Sequence, residues 1–83
     1  MTQVARTTKQ MGAIIRRERK KRRLTQSQLG QQIGPRQATI SKLETGEPAT
    51  QLKTLFDVLS ALRLELNINE RSKTSLQDIE KIF

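Results

Sequence analysis

Residues 24–46 read LTQSQLGQQIGPRQATISKLETG, and this stretch encodes two short helices separated by a forced turn. Thr25 can cap the first helix, and Gln28 three residues later has the spacing of a capping box. Gly34 can adopt the left-handed conformation that ends a helix, and Pro35 cannot continue the hydrogen-bond ladder. The pattern therefore predicts a first helix that ends just before the glycine and a second helix that begins just after the proline.

The second helix has room from about residue 37 to residue 45, and its apolar positions, Ile40 and Leu43, share one side. The opposite side is polar and not acidic. Glutamine can bond adenine through two hydrogen bonds, serine bonds several bases, and the alanine methyl group can contact the thymine methyl group. The residues that we predict to face base edges are Arg36, Gln37, Ala38, Ser41 and Lys42.

A basic run precedes this segment: residues 16–23 read RRERKKRR, in which seven of eight side chains are cationic. Cations at a helix C-terminus interact favourably with its dipole and can bind phosphates. A solvated helix face is the alternative. Free amides at the start of the next helix also favour an anion. The residues that we predict to contact DNA phosphates are Arg22, Arg23, Gln26, Ser27 and Thr39.

The 83 residues suit one small domain and include no cysteine and no histidine. Thiol and imidazole catalysis, disulfides and the usual zinc sites are therefore excluded, and no other catalytic constellation appears. We predict no enzyme activity, cofactor, metal or small-molecule substrate. Residues 1–42 carry eleven basic residues and one acidic residue, whereas residues 43–83 carry five and seven. This asymmetry indicates a polyanionic partner, with solubility alone as the alternative.

Neither a membrane span nor the apolar core of a signal peptide is visible, so we expect a cytoplasmic protein that joins the nucleoid through DNA. Two further helices complete the expected core. The first spans about residues 7–22, with apolar residues at positions 11, 14 and 15. The last begins with Thr50 as its cap. The apolar stripe that we predict to line the core, including its one aromatic residue, is Leu52, Leu55, Phe56, Leu59 and Leu62.

Residues 64–69, LELNIN, change to a period of two, because Leu64, Leu66 and Ile68 alternate with polar residues. This alternation predicts a strand. A lone strand leaves backbone groups unpaired, so its simplest partner is the same strand of a second copy in a homodimer. An extension of the last helix or an irregular loop is the alternative. The expected fold is mainly α: a four- to five-helix bundle that contains a helix-turn-helix, followed by a short C-terminal β-strand paired across the dimer.

We predict that residues 1–69 form a domain for DNA binding and dimerisation, and that residues 70–83 form a tail. The tail is too short to be a stable helix alone. It either folds onto this protein or docks on a partner through its apolar end. The apolar residues of the tail, at near-helical spacing, are Leu76, Ile79, Ile82 and Phe83.

The two-helix segment resembles the helix-turn-helix of the Cro and phage-repressor (XRE) family. The resemblance rests on Gln26 at the start of the first helix, Leu29 and Gly34 at its packing and turn positions, and the run QxxIxxxExG from Gln37 to Gly46. It implies binding to double-stranded DNA and a structural ion pair between Arg19 and Glu44. Two positions depart from the family. Arg36 stands where a serine or threonine cap is common, and Arg23 stands where glycine is common, so the preceding helix is expected to be longer or differently turned.

The order of TQSQL, QATIS and LELNI is similar to that of the HipB antitoxins. This resemblance implies a transcriptional repressor of its own operon with a HipA-type kinase toxin as partner. A dimer of helix-turn-helix units predicts a palindromic operator with half-sites about one helical turn apart. The alternatives are a stand-alone phage-type or chromosomal repressor, and an RNA-binding or protein-docking module on the same scaffold.

Overall fold

Four α-helices make up most of the described part of the chain, which covers residues 3–34 and 37–71 of a computed structural model. They are α1 (Thr8–Lys21), α2 (Gln26–Gln32), α3 (Gln37–Glu44) and α4 (Leu52–Ala61). Among the residues described, no helix combines the length and the apolar character needed to cross a membrane. The apolar tail residues Leu76, Ile79, Ile82 and Phe83 lie outside the described residues.

The core takes at least one fully buried aliphatic side chain from each helix. Ile15 of α1, Leu29 of α2, Ile40 of α3 and Val58 of α4 are all 0% exposed. Helix α3 packs against both α1 and α2. Since the two neighbours hold α3 from one side, its other side is left for solvent or a ligand.

Helix α1 approaches the end of α3 closely because α1 has a glycine at the contact. A Cβ atom on Gly12 would lie 2.7 Å from the Glu44 carbonyl oxygen and would also meet that of Leu43. The chain then turns away at Gly46, whose φ of 88° lies in the left-handed region. A Cβ atom on Gly46 would lie 2.7 Å from the Cα atom of Lys9. These two glycines let the backbone of α1 and the end of α3 touch directly.

Helices α1 and α4 end in the same way, each followed by an arginine in the left-handed conformation. Arg23 has φ 59° and Arg63 has φ 60°. The amide after each arginine donates to a carbonyl of the last helical turn, at 3.2 Å after α1 and 2.8 Å after α4. Both ends are therefore Schellman motifs. Helix α1 is not prolonged at Arg23; the arginine adopts the conformation that glycine would adopt more easily.

The predicted cap of α4 at Thr50 is wrong. The helix begins at Leu52, and its N-cap Gln51 makes no side-chain cap bond. The amide of Thr50 instead donates to the Glu47 carbonyl at 3.2 Å, while the Glu47 carboxylate accepts from the amide of Ala49 at 3.1 Å. This local turn around Glu47 uses the residues that would have formed the cap, so the helix starts later.

The predicted burial of the whole apolar stripe of α4 is also wrong. Phe56 is 47% exposed and Leu52 is 63% exposed. The side that faces the core centres on Thr54, Val58 and Leu62, which are all buried and are spaced four residues apart. The predicted stripe is wider than the surface that the core covers, so its outer edge remains in solvent.

Residues 64–71 follow α4 with neither a helix nor a β-ladder within the described chain. The strand predicted at Leu64, Leu66 and Ile68 is not formed by the single chain, because a ladder needs a second segment to bond with. The alternative that α4 continues is excluded by its end at Ala61. Leu64 packs against the core, whereas Leu66 is 41% and Ile68 92% exposed.

Candidate nucleic-acid interface

Helix α2 is fixed at its start by a capping box. The Thr25 hydroxyl oxygen accepts from the Gln28 amide at 3.0 Å, and the Gln28 side-chain oxygen accepts from the Thr25 amide at 2.8 Å. At the other end Gly34 has φ 108°, in the left-handed region where glycine carries no penalty. The capping box and the left-handed glycine predicted from the sequence are both formed. They fix where α2 begins and ends, and the glycine sets the direction of the chain toward α3.

Helix α3 is buried on one side and open on the other. Ile40 is 0% and Leu43 is 4% exposed. Of the residues predicted to face bases, Ala38 and Lys42 are exposed and Ser41 is half-buried. Gln37 begins the helix, but its side chain and the whole of Arg36 lie outside the described part of the chain. Thr39, predicted to contact a phosphate, is half-buried.

The structure brings Arg19 and Glu44 together in a buried ion pair. Arg19 Nε lies 2.6 Å from Glu44 Oε2 and Arg19 Nη2 lies 3.1 Å from Glu44 Oε1. Arg19 Nη1 also donates to the Leu24 carbonyl at 2.7 Å. The guanidinium therefore connects α1, the link to α2 and the C-terminal end of α3, which fixes the position of α3 relative to its neighbours.

Gln26 joins the same network, which the sequence did not indicate. Its Nε2 donates to Glu44 Oε1 at 3.1 Å, and the side chain is half-buried. Eighteen residues separate the two in sequence, so no local spacing signals this bond. Ser27, the neighbouring predicted phosphate contact, is exposed. The start of α2 is thus tied to the end of α3 by a side-chain hydrogen bond.

Glu18 gathers several polar groups at the end of α1. Arg22 Nη1 donates to Glu18 Oε1 at 2.6 Å, Lys21 Nζ lies 3.3 Å from Oε2, and Gln3 Nε2 donates to Oε2 at 2.7 Å. The bond from Arg22, which outweighs the opposing effect of burial, together with Lys21 and Gln3 lowers the pKa of Glu18 to about 2. Sequence reasoning missed this role, although Glu18 is the single acid of the first 42 residues and precedes both cations at ion-pair spacing.

The residues predicted to contact phosphates differ in whether their side chains are already bonded within the protein. Arg22 is held by Glu18, with its side chain 33% exposed. Arg23 is exposed, directly precedes the residues that start α2 and has no ion pair within the described residues. Arg23 and the start of α2 are neighbours in sequence, and the outer side of α3 follows after the turn. Together these parts carry amides, hydroxyls and cations.

A family model described as "Helix-turn-helix" matches residues 15–69. The chain belongs to the helix-turn-helix family. The match runs from the middle of α1 to the segment after α4, so it covers the second half of α1 and the whole of α2, α3 and α4. It confirms the resemblance predicted from the sequence.

The helix-turn-helix chain is similar to characterised proteins from bacteria and a phage. It is 37% identical over 57 residues to "Antitoxin HipB" of Escherichia coli (strain K12), which is 69% of this chain and 65% of that protein. A HipB antitoxin of another E. coli strain matches over 61% of its length. The chain thus spans just under two thirds of these relatives. The "ImmF control region 10 kDa protein" of Bacillus phage phi105 is 29% identical over 73 residues, 88% of this chain and 79% of the phage protein.

Solved structures of HipB complexes have the same fold as this chain. A complex of a HipB variant with an O2 20mer superposes with a TM-score of 0.80 and 29% identity, over 87% of this chain and 100% of the other. A HipA-HipB-O2-O3 complex superposes with a TM-score of 0.79 and 31% identity, over 86% and 100%. The helix-turn-helix fold described above is therefore shared with HipB chains solved in complexes with an O2 20mer and with HipA, O2 and O3.

Proposed function

We propose that this helix-turn-helix protein is a sequence-specific repressor that binds double-stranded operator DNA. The observation that carries the proposal is the superposition, at a TM-score of 0.80, on the whole of a HipB chain solved with its O2 20mer. The open side of α3 and the basic first half of the chain support it. Binding over a promoter would block transcription by occlusion, and no catalytic step is part of the proposal.

Helix α3 enters the major groove in this proposal. Gln37, Ala38 and Ser41 contact base edges, and Arg36 and Lys42 flank them. The residues that hold the DNA backbone are Arg22, Arg23, Gln26, Ser27 and Thr39. Gln26 fits this role although it is bonded to Glu44, because its amide nitrogen carries two hydrogens and one remains for a phosphate.

Two copies bind one palindrome in this proposal. Leu66 and Ile68 are exposed in the single chain, as are Val4 on the N-terminal arm and Leu52 on α4. These four side chains border one groove, which the segment after α4 lines on one side. We infer that residues 64–69 pair with the same residues of a second copy and cover these side chains, which removes apolar surface from water and satisfies the strand backbone. Residues 1–69 then form the DNA-binding and dimerisation domain.

We further propose that the protein is the antitoxin of a HipA-type kinase toxin and represses its own operon. The support is its similarity to HipB antitoxins and to the HipB chain of a HipA-HipB-O2-O3 complex. Residues 70–83, with their apolar end, are the proposed additional contact with the toxin. A stand-alone repressor is the second candidate, since the phage phi105 control-region protein matches over 88% of this chain.

Replacement of Gln37 by alanine tests the base-reading role. We expect a loss of about 1 to 3 kcal/mol in binding to a duplex selected from random sequences, with relaxed preference at one position and little change on random duplexes. Gln31→Ala, an exposed glutamine of α2 outside the proposed contacts, is the matched control and should bind as the wild type does. Equal losses on selected and random duplexes would contradict base reading.

Co-expression with the product of an adjacent kinase-type reading frame tests the antitoxin role. We expect the two proteins to co-purify and the growth defect caused by the kinase alone to disappear. A protein that represses a reporter from its own promoter but neither binds nor neutralises such a kinase would be the stand-alone repressor.

A further inference from the structure

The cations of α1 and of its C-cap, Arg22, fall into two groups. Those of the first group are bonded within the protein: Arg17 to Gln3, Arg19 to Glu44, and Lys21 and Arg22 to Glu18. The second group consists of Lys9, Arg16 and Lys20, which are exposed. Within residues 3–34 and 37–71, no acidic side chain forms an ion pair with any of these three. The charges of the second group are therefore available to a ligand without the loss of a bond inside the protein.

The three available cations lie along one line of the helix. Positions i, i+7 and i+11 lie within about 40° of one another around an α-helix, so Lys9, Arg16 and Lys20 share a face and span about 16 Å. We call this face the α1 stripe. Its one end is beside the end of α3, because Gly46 lies against the backbone of Lys9. The Lys9 end of the stripe therefore adjoins the C-terminal end of α3, and the other two cations extend from it along α1.

The composition of the stripe selects one kind of ligand. Protein interfaces depend on buried aromatic and apolar anchors, and helices that lie on membranes need an apolar face. Among the described residues, no large exposed hydrophobic side chain belongs to α1. A DNA backbone requires only spaced cations and hydrogen-bond donors, and arginine in particular can hold a phosphate with two bonds.

We infer that the α1 stripe binds phosphates of the DNA duplex outside the half-site read by α3. Each protomer then covers more DNA than its recognition helix does, and flanking DNA of any sequence adds to the affinity. This inference rests on the proposed DNA-binding function and extends it to a second, sequence-independent contact surface.

A triple variant tests the inference: Lys9→Gln, Arg16→Gln and Lys20→Gln together. Glutamine keeps the helix propensity and removes the positive charge. The control, Arg71→Gln, Lys73→Gln and Lys81→Gln together, removes the same number of positive charges from the second half of the chain. The probes are a duplex selected by the wild-type protein, cut to its palindrome or extended by about one helical turn, ten base pairs, at each end, and random duplexes of the same two lengths.

We expect the wild type and the control to bind the extended duplex more tightly than the short one, and the stripe variant to lose this gain. The slope of log K against log salt should fall by about 0.9 for each lost phosphate contact, or about 2 to 3 per protomer. Preference for the selected sequence should be retained, because α3 is unchanged. Thermal unfolding of the three proteins should coincide.

An unchanged salt slope and an unchanged gain with length in the stripe variant would overturn the inference. If those values stay constant while binding to a co-expressed acidic protein is lost, the stripe is a protein-docking surface instead. A wild type that prefers no sequence would contradict the proposed repressor function, not the stripe. In that case the random duplexes still test the stripe. On them, the slope of log K against log salt is smaller for the stripe variant than for the wild type only if the stripe contacts phosphates.

Discussion

Glu18 is the residue on which the charge balance of α1 depends. Hydrogen bonding and proximity of cations lower its pKa from the ordinary value of 4.5 to about 2. The folded protein therefore keeps the carboxylate charged at a pH where the unfolded chain is protonated. Glu18 stabilises the fold fully above about pH 4.5, and this contribution is lost as the pH falls toward 2.

Glu18→Gln should accordingly lower the free energy of unfolding at neutral pH, and the difference from the wild type should shrink steadily below pH 4.5. Urea unfolding between pH 2 and 7 measures it. Glu70→Gln, which removes an exposed acid, is the control and should leave the wild-type curve unchanged. A difference that is constant with pH would mean that the carboxylate charge has no role in the effect.

The two left-handed arginines make a matched pair of test sites. The left-handed conformation destabilises a non-glycine residue by about 1 to 2 kcal/mol, and a glycine avoids this cost. Glycine also has more conformational freedom in the unfolded chain, which offsets part of the gain in stability. We expect Arg23→Gly and Arg63→Gly each to raise the free energy of unfolding by up to about 1 kcal/mol. DNA affinity should fall for Arg23→Gly alone, because of the two arginines only Arg23 is a proposed phosphate contact.

Calorimetry and a DNA titration of both variants check this prediction. If both variants bind DNA as the wild type does, Arg23 is not a phosphate contact. The sequence indicated that Arg23 occupies a glycine position of the family. It did not indicate how α1 ends, because an arginine there fits both a longer helix and a strained left-handed cap. The hydrogen bonds after α1 decide in favour of the cap.

At the scale of helices, the contact between α1 and α3 depends on Gly12. In an open helix, Gly→Ala stabilises by about 1 kcal/mol. Here the new Cβ atom would lie 2.7 Å from the Glu44 carbonyl oxygen, and backbone atoms cannot move aside. We expect Gly12→Ala to destabilise the protein by about 1 to 3 kcal/mol, the usual cost of overpacking. Urea unfolding measures the sign, and a more stable variant would show that the helices are farther apart.

How far an element could be predicted depended on whether its signals were local. The capping box of Thr25 and Gln28, and the left-handed turn at Gly34, depend on neighbouring residues and were predicted from their spacing. The exposure of Phe56 could not be, because it depends on where the other helices end. The bond from Gln26 to Glu44 was equally hidden, since only the folded chain brings α2 and the end of α3 together.

At the scale of the whole molecule, the exposed Leu66 and Ile68 argue for a second copy. Replacing both by aspartate should abolish dimer formation, because charges would enter the proposed interface. Asn67→Asp adds a charge on the other side of the proposed strand and should leave the dimer intact. Analytical ultracentrifugation measures the state, and a DNA titration should show that the monomeric variant binds a single half-site as well as the wild type does. A double variant that remains dimeric would place the interface elsewhere.

The outward residues of α3 take no part in the buried cluster. Glu44, at the end of the helix, fixes its position through bonds to Arg19 and Gln26. Ala38 and Lys42 can therefore change without loss of the scaffold. If the proposed role of α3 holds, a few substitutions at such positions change the DNA target, and each intermediate variant still folds. For the proposed repressor, a change of target is therefore confined to the open side of a helix of eight residues.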